Sequence, residues 1–204
     1  MMQTVFTTLS WKKEKLEMLC PKFILIHFLS GLLILCSSAC VQAGSVTIDF
    51  ASSTLVDQSY SADAFIDYKF DDEVLTALAH GVPLRIDIFL RIKRSRNWLW
   101  DPVVRDETIS YKLQRLALSD HYLLTNLNGE NKEQFQYLDE ALRTLGTISE
   151  HFLFDHSTIE SESSYIGFIK SELNIEALPP PLRPMAYFSP QWQVESKWYE
   201  WLVK

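Results

Sequence analysis

Hydrophobic and polar residues follow two different periods along residues 44–204. The clearest alternation of period two is in "PLRIDIFLRIKR" (83–94), where every second residue is Leu or Ile and most of those between them are charged. This pattern predicts a long β-strand with one buried face. Similar strand patterns are expected at 45–51, 61–70, 108–118, 121–127, 147–155 and 163–174.

Two segments have the longer period of an α-helix. The first is 71–81, which begins with two aspartates suited to N-capping and ends at a glycine. The second is predicted from Asn131, a capping residue, to Leu145, with Gly146 as its end, and the Asn-Gly pair at 128–129 predicts a tight turn before it. We therefore predict an α+β fold, a mostly antiparallel β-sandwich or curled sheet with two short helices.

The carboxyl-terminal region combines prolines with tryptophans. In "LPPPLRP" (178–184) the prolines favour an extended path, and we expect a rigid strap that crosses the sheet. Trp192, Trp198 and Trp201 follow, and aromatic side chains bury a large area per residue. We expect this tail to dock on the core, with Trp201 the exposed member.

The first 43 residues have the order of a secretory signal. A lysine precedes the apolar run 23–35, and small residues follow it. We expect cleavage after Ala43, which releases residues 44–204 as a single periplasmic domain. Two alternatives remain open: lipidation at Cys40, and retention of residues 23–41 as an inner-membrane anchor. The charged stretch at the start is long for a signal, so Met18 is a candidate for the true start.

Composition restricts the chemistry of the exported domain. The chain has a net charge of −7, and since its first 43 residues carry four lysines and two glutamates, the rest carries −9. This acidity argues against nucleic acid as a partner. All three cysteines lie before residue 44, and the six glycines are too dispersed for a phosphate-binding loop. His151 and His156 do not have the spacing of an HExxH pair. We expect no catalytic residues, no metal and no cofactor.

One basic and aromatic stretch, "RIKRSRNWLW" (91–100), stands out in the acidic domain. Its candidate binding residues are Arg91, Lys93, Arg94, Arg96, Trp98 and Trp100. Basic side chains beside tryptophans suit anionic lipid headgroups or an acidic protein surface. The ordinary alternative is a strand end with solvated cations and tryptophans folded onto the core.

Several segments resemble the DUF4390 family of bacterial proteins of unknown function, which are exported or membrane-associated. The resemblance rests on the helix exit at 81–84, the Leu-Pro-Pro-Pro-Leu-Arg segment at 178–183, and Trp192, Ser196 and Trp198. It spans nearly all of residues 45–201. It implies a Gram-negative source, a periplasmic location and a gene near a sensor kinase, and it brings no catalytic residues.

We expect from these observations a non-enzymatic binding or interaction module of the periplasm or envelope. Its partner is unidentified, with an envelope or sensor-kinase protein and an anionic lipid surface as candidates. The alternative is an envelope-associated enzyme that acts on lipid or peptidoglycan. A deep pocket lined by carboxylates or histidines favours the enzyme, whereas a shallow basic and aromatic surface favours the binding module.

Overall fold

The computed structural model describes residues 44–95, 101–158 and 163–203. Within these ranges the strands are β1 (Ser45–Val56), β2 (Ser59–Lys69), β3 (Leu84–Ser95), β4 (Val103–Leu116), β5 (His121–Asn126), β6 (Lys132–Phe135), β7 (Thr147–Asp155), β8 (Ser164–Leu173) and β9 (Tyr199–Val203). The α-helices are α1 (Asp72–Ala79), α2 (Leu138–Gly146) and α3 (Arg183–Phe188). None of these helices has both the length and the hydrophobicity required to cross a membrane.

The strands form two antiparallel sheets. One has three strands in the order β1-β2-β7, and the other has six in the order β6-β5-β4-β3-β8-β9. The predicted α+β class is therefore confirmed.

The core lies between the two sheets. Alternate residues of β3, from Leu84 to Ile92, are buried on the inner face of the larger sheet, as their spacing predicts. They share one buried cluster with the inward side chains of β2, among them Ala62 and Ala64. Across the layers the hydroxyl groups of Tyr68 and Ser171 share a hydrogen bond of 2.8 Å. Burial raises the pKa of Tyr68, so its hydroxyl remains neutral in this core.

Two helices contribute buried side chains to the core. α1 begins at the cap Asp71, whose carboxylate accepts a hydrogen bond from the Glu73 N–H, and it is followed by Gly81 at φ +83°. The left-handed conformation at Gly81 is the reason that the helix ends in glycine. α2 packs against β2 and β5. A Cβ atom at its last residue, Gly146, would lie 2.0 Å from the carbonyl oxygen of Ile66, so only glycine permits this approach.

The prediction of a helix from Asn131 was wrong for its first half. Lys132–Phe135 forms β6, which pairs with β5. The turn before it is held by Asn128, whose side chain accepts a hydrogen bond from the Ser110 N–H and donates one to the Thr108 carbonyl. Because these bonds tie the turn to β4, the chain leaves it as an edge strand, and the helix begins only at Leu138.

Two expectations for the carboxyl-terminal region also need correction. The proline segment is not an extended strap throughout: it turns at 179–182 and continues as α3, a third helix, with Pro184 in its first turn. Proline suits that position because its φ is already helical. In the aromatic tail, Trp192 and Trp201 are buried, and Trp198 is the exposed member.

Candidate functional site

The outer face of the six-stranded sheet carries the side chains that alternate with the core residues of β3. Strand register places Arg91 between Asp106 of β4 and Phe168 of β8. Lys93 lies in the next outward row, between Val103 and Ile166. These rows are at the end of β3 that is distant from α1.

The two basic side chains of these rows each contact an aromatic ring. The guanidinium of Arg91 is 5.6 Å from the ring centroid of Trp198, and the Lys93 ammonium is 4.8 Å from that of Phe168. Both distances suit a cation–π contact. Arg91 also donates two hydrogen bonds to Asp106, from Nε at 3.1 Å and from Nη2 at 2.8 Å. The two cations are thus held in defined positions and are partly exposed.

The structure places Arg94, a third predicted basic residue, apart from Arg91 and Lys93. Arg94 is opposite the buried Tyr165 in the register, so it follows the inward parity of β3. Its side chain is on the other side of the strand from Lys93. Arg96, Trp98 and Trp100 lie outside the described residues. The described part of the chain therefore brings together two of the predicted basic residues, Arg91 and Lys93.

The apolar half of this surface did not follow from the sequence pattern. Val103, Trp198 and Leu202 are 50%, 43% and 51% exposed, high values for large apolar side chains. The "YIGFI" of β8 is apolar on both faces, so its alternation gave no signal that Phe168 points outward. We call this set the aromatic–basic surface. It comprises Arg91, Lys93, Val103, Phe168, Trp198 and Leu202.

The outer face differs in charge from the rest of the domain. By register it holds six basic and five acidic residues, whereas the described residues as a whole include 13 basic and 22 acidic ones. The face is therefore close to neutral, and the acidic excess lies elsewhere.

A buried carboxylate anchors the middle of the same face. Asp87 is 4% exposed and accepts hydrogen bonds from Ser110 Oγ at 2.6 Å, Arg85 Nε at 2.9 Å and Asn174 Nδ2 at 2.7 Å. Burial works to raise the pKa of Asp87, but the bonds from these donors outweigh it and hold the pKa below its ordinary value. Because the donors come from β3, β4 and the segment after β8, the network ties these elements together.

A cleft of about 450 Å³ beside this network is lined by Glu172, Glu176 and Glu195. The Lys170 ammonium contacts Glu195 at 2.7 Å and Glu172 at 3.0 Å, and the Tyr187 hydroxyl donates to Glu176 at 3.3 Å. The hydrogen bond to Glu195 is the main reason that the pKa of Lys170 is raised. Glu172 and Glu195 are thus ion-paired through Lys170, and Glu176 accepts a hydrogen bond from Tyr187. We call this feature the glutamate cleft, and it is the one that bears on the enzyme alternative.

The described histidines lie apart from one another. His151 contacts Glu107 at 3.3 Å, and His156 stacks on Tyr60 with the ring centroids 5.9 Å apart. Burial tends to raise the pKa of Glu107, but hydrogen bonds from Arg105 and His151 lower it below the ordinary value. Within the three described ranges, no group of three His, Cys, Asp or Glu residues is placed to hold a metal ion.

A groove of about 470 Å³ lies between α1 and α3, at the other end of β3. Its lining is largely apolar, and we call the two acidic residues and the histidine in it, Asp72, Glu73 and His80, its rim. We call it the α1–α3 groove. The remaining lining residues are Thr76, Ala77, Val82, Leu182, Met185 and Trp192.

Comparison with known proteins agrees with the resemblance seen in the sequence. A family model for a domain of unknown function, DUF4390, matches residues 43–202. The chain belongs to the DUF4390 family. No curated protein and no solved structure matches it.

Trp198, one of the residues that carry the family resemblance, belongs to the aromatic–basic surface, and the others in the carboxyl-terminal region have structural roles. The buried Trp192 donates from its indole nitrogen to Glu73 Oε1 at 2.9 Å, which joins the tail to α1. Ser196 Oγ accepts a hydrogen bond from the Ser171 N–H. Arg183 Nε donates to the carbonyl oxygen of Leu178, which closes the proline turn before α3. In this member of the family these residues therefore hold the carboxyl-terminal segment against α1 and β8.

Proposed function

We propose that this protein is a non-enzymatic interaction module of the bacterial cell envelope, and that the aromatic–basic surface is its contact with a partner protein. The observation that carries the proposal is the pairing of aromatic and basic side chains at one end of the outer face of the six-stranded sheet, where Trp198 is 43% exposed. Trp198 and Arg91 belong to the residue types that most often dominate binding energy at protein interfaces. Their mutual contact means that little side-chain freedom is lost on binding.

The charge balance favours a protein over an anionic bilayer. An anionic membrane attracts clustered Lys and Arg, each contributing about 1 kcal/mol near the surface. Here Arg91 is paired with Asp106, and Glu200 lies opposite Phe168 on the same face. Apolar side chains among alternating charges are typical of a protein interface.

The enzyme alternative has weaker support. The glutamate cleft is lined by carboxylates, the feature expected of an envelope hydrolase. However, Lys170 bridges Glu172 and Glu195, and the Tyr187 hydroxyl donates a hydrogen bond to Glu176. A general acid and base need carboxylates that exchange protons with a substrate, and these interactions compete with that role.

The first test is site-specific photo-crosslinking in native cells. A benzophenone amino acid at Leu202 should yield a discrete adduct with one envelope protein. The same residue at Leu118, which is fully exposed in the β4–β5 turn, should not. Lys93→Glu should abolish the Leu202 adduct while the protein level is unchanged.

The identity of the adduct decides the proposal. A phospholipid adduct at Leu202 would replace the protein partner with a lipid surface, and serine in place of Arg91 and Lys93 should then reduce retention on anionic vesicles. An adduct that survives Lys93→Glu, or that forms equally at Leu118, would contradict the proposal.

We further propose that the chain is exported and that its domain acts in the periplasm of a Gram-negative bacterium. The signal-like order of residues 1–43 supports export, and the resemblance to the DUF4390 family supports the Gram-negative source. The intact mass of the protein from fractionated cells tests this. A soluble species that begins at Gly44 indicates cleavage after Ala43, an acylated species indicates lipidation at Cys40, and an intact membrane species indicates an anchor at 23–41.

A further inference from the structure

The α1–α3 groove is a second candidate docking surface, separate from the aromatic–basic surface. Its volume of about 470 Å³ is typical of sites that accept a ligand or the anchoring side chains of a peptide. Two sides are helical, since Thr76 and Ala77 belong to α1 and Met185 to α3. Trp192 forms part of the lining and is itself locked by its bond to Glu73.

The groove has one adaptable wall. Met185 is 49% exposed, and its flexible thioether can repack against different apolar groups. Phe188, at the end of the same helix, is 89% exposed. A helix that presents two such side chains to water offers apolar contact area that the folded domain itself does not use.

The rim of the groove carries acidic side chains. Asp72 is exposed, and the Glu73 carboxylate is held in place by Ser189 Oγ at 3.1 Å and Trp192 Nε1 at 2.9 Å. Among the described residues that line the groove, none is lysine or arginine. An apolar floor with an acidic rim is complementary to an apolar segment flanked by basic side chains.

We propose that the α1–α3 groove binds a basic amphipathic segment of a partner protein. Apolar side chains of the segment occupy the space between Ala77, Val82 and Met185, and its Lys or Arg residues face Asp72 and Glu73. This surface is distinct from the aromatic–basic surface of the proposed function. It requires a partner segment that is basic.

The methyl group of Met185 is a direct reporter for the test, because it is the only methionine in residues 44–204. The protein, purified as processed in native cells, is labelled with [¹³C-methyl]methionine, and the Met185 resonance is assigned with Met185→Leu. Two synthetic 18-residue probes have the same leucine pattern, one with lysine and one with glutamate at the polar positions. The Leu/Lys peptide should shift the resonance saturably, and the Leu/Glu peptide should not.

Two variants and one matched control test the mechanism. Asp72→Asn should weaken the Leu/Lys affinity by about two- to fivefold, because an exposed ion pair contributes little. Asp139→Asn removes the same charge from the first turn of α2 and should leave the affinity unchanged. Thr76→Trp adds a ring at an exposed position of α1 and should abolish the shift by filling the groove.

Three results would overturn the proposal. Equal responses to the two peptides would show that the groove does not select charge. No response to either would show that it does not bind an amphipathic segment. Equal losses for Asp72→Asn and Asp139→Asn would show that only the overall charge of the domain matters.

Discussion

Replacing Asp87 with alanine tests whether the outer face of the large sheet is held together by its buried carboxylate. The substitution removes the acceptor for three hydrogen bonds, from Ser110, Arg85 and Asn174. It leaves these donors on three adjacent segments without their shared partner. We expect a large loss of stability for a change of one small side chain.

The magnitude follows from the burial of the groups. Removing one member of a buried ionic pair costs about 3–5 kcal/mol. The Arg85 side chain is 40% exposed and can be partly rehydrated, which reduces the penalty. The Ser110 hydroxyl is buried and has less access to water. We therefore expect Asp87→Ala to lower the free energy of unfolding by about 3 kcal/mol.

The assay is urea unfolding followed by tryptophan fluorescence, with Asp106→Ala as the matched control. Asp106 also pairs with an arginine of β3 on the same face, but its side chain is 49% exposed. Exposed pairs contribute about 0–1 kcal/mol, so the control should lose less than about 1 kcal/mol. If the two variants lose equal stability, the carboxylate does not organise the face.

The contribution of Asp87 should also depend on pH. Its pKa in the folded protein is lowered, so its stabilisation is present above the unfolded value of about 3.9 and is lost as pH falls through the folded pKa. The difference in unfolding free energy between the native protein and Asp87→Ala should therefore shrink as pH falls below about 4. A difference that persists unchanged at low pH would indicate that the ionised form is not what stabilises the fold.

Three further substitutions test the core. Gly146→Ala places a methyl group against the carbonyl oxygen of Ile66, so the backbone must move, and it should lower the free energy of unfolding in urea by about 1–3 kcal/mol. Unchanged stability would contradict the close contact between Gly146 and Ile66. Gly167→Ala puts a Cβ 2.3 Å from the indole of Trp201, so it should destabilise the fold and red-shift the fluorescence, and Trp201→Leu in the same chain should restore part of the stability. Tyr68→Phe removes the hydroxyl that bridges the sheets and should cost about 1 kcal/mol, and a neutral result would mean that this hydrogen bond adds no net stability.

The strands were predictable where burial imposes one clear period. β3 is the best case, since its leucines and isoleucines are on the inner face and its charged residues are outside or at the edges. The outward positions of Arg91 and Lys93 follow from that alternation alone. The end of α1 was equally predictable, because position 81 has a left-handed backbone conformation, which glycine adopts readily.

Other features depended on contacts that a local pattern does not contain. Lys132–Phe135 has a helical pattern but forms β6, because Asn128 ties the preceding turn to β4. The first hairpin turns at Asp57 and Gln58, both with positive φ, without the glycine that signals such turns. The outward position of Phe168 in the aromatic–basic surface was hidden because the "YIGFI" of β8 is apolar on both of its faces.

The two proposed surfaces lie far enough apart to be occupied together. Leu84, beside the α1–α3 groove, and Lys93, on the aromatic–basic surface, are nine positions apart on β3, which corresponds to about 30 Å along an extended strand. A segment bound at one surface therefore does not touch the residues of the other surface. Lys93→Glu should leave the Met185 response to the Leu/Lys peptide unchanged, and Thr76→Trp should leave the Leu202 adduct unchanged. If each variant removes only the interaction at its own surface, the result would support a module that joins two partners. If one variant removes both interactions, β3 transmits a structural change between the two surfaces.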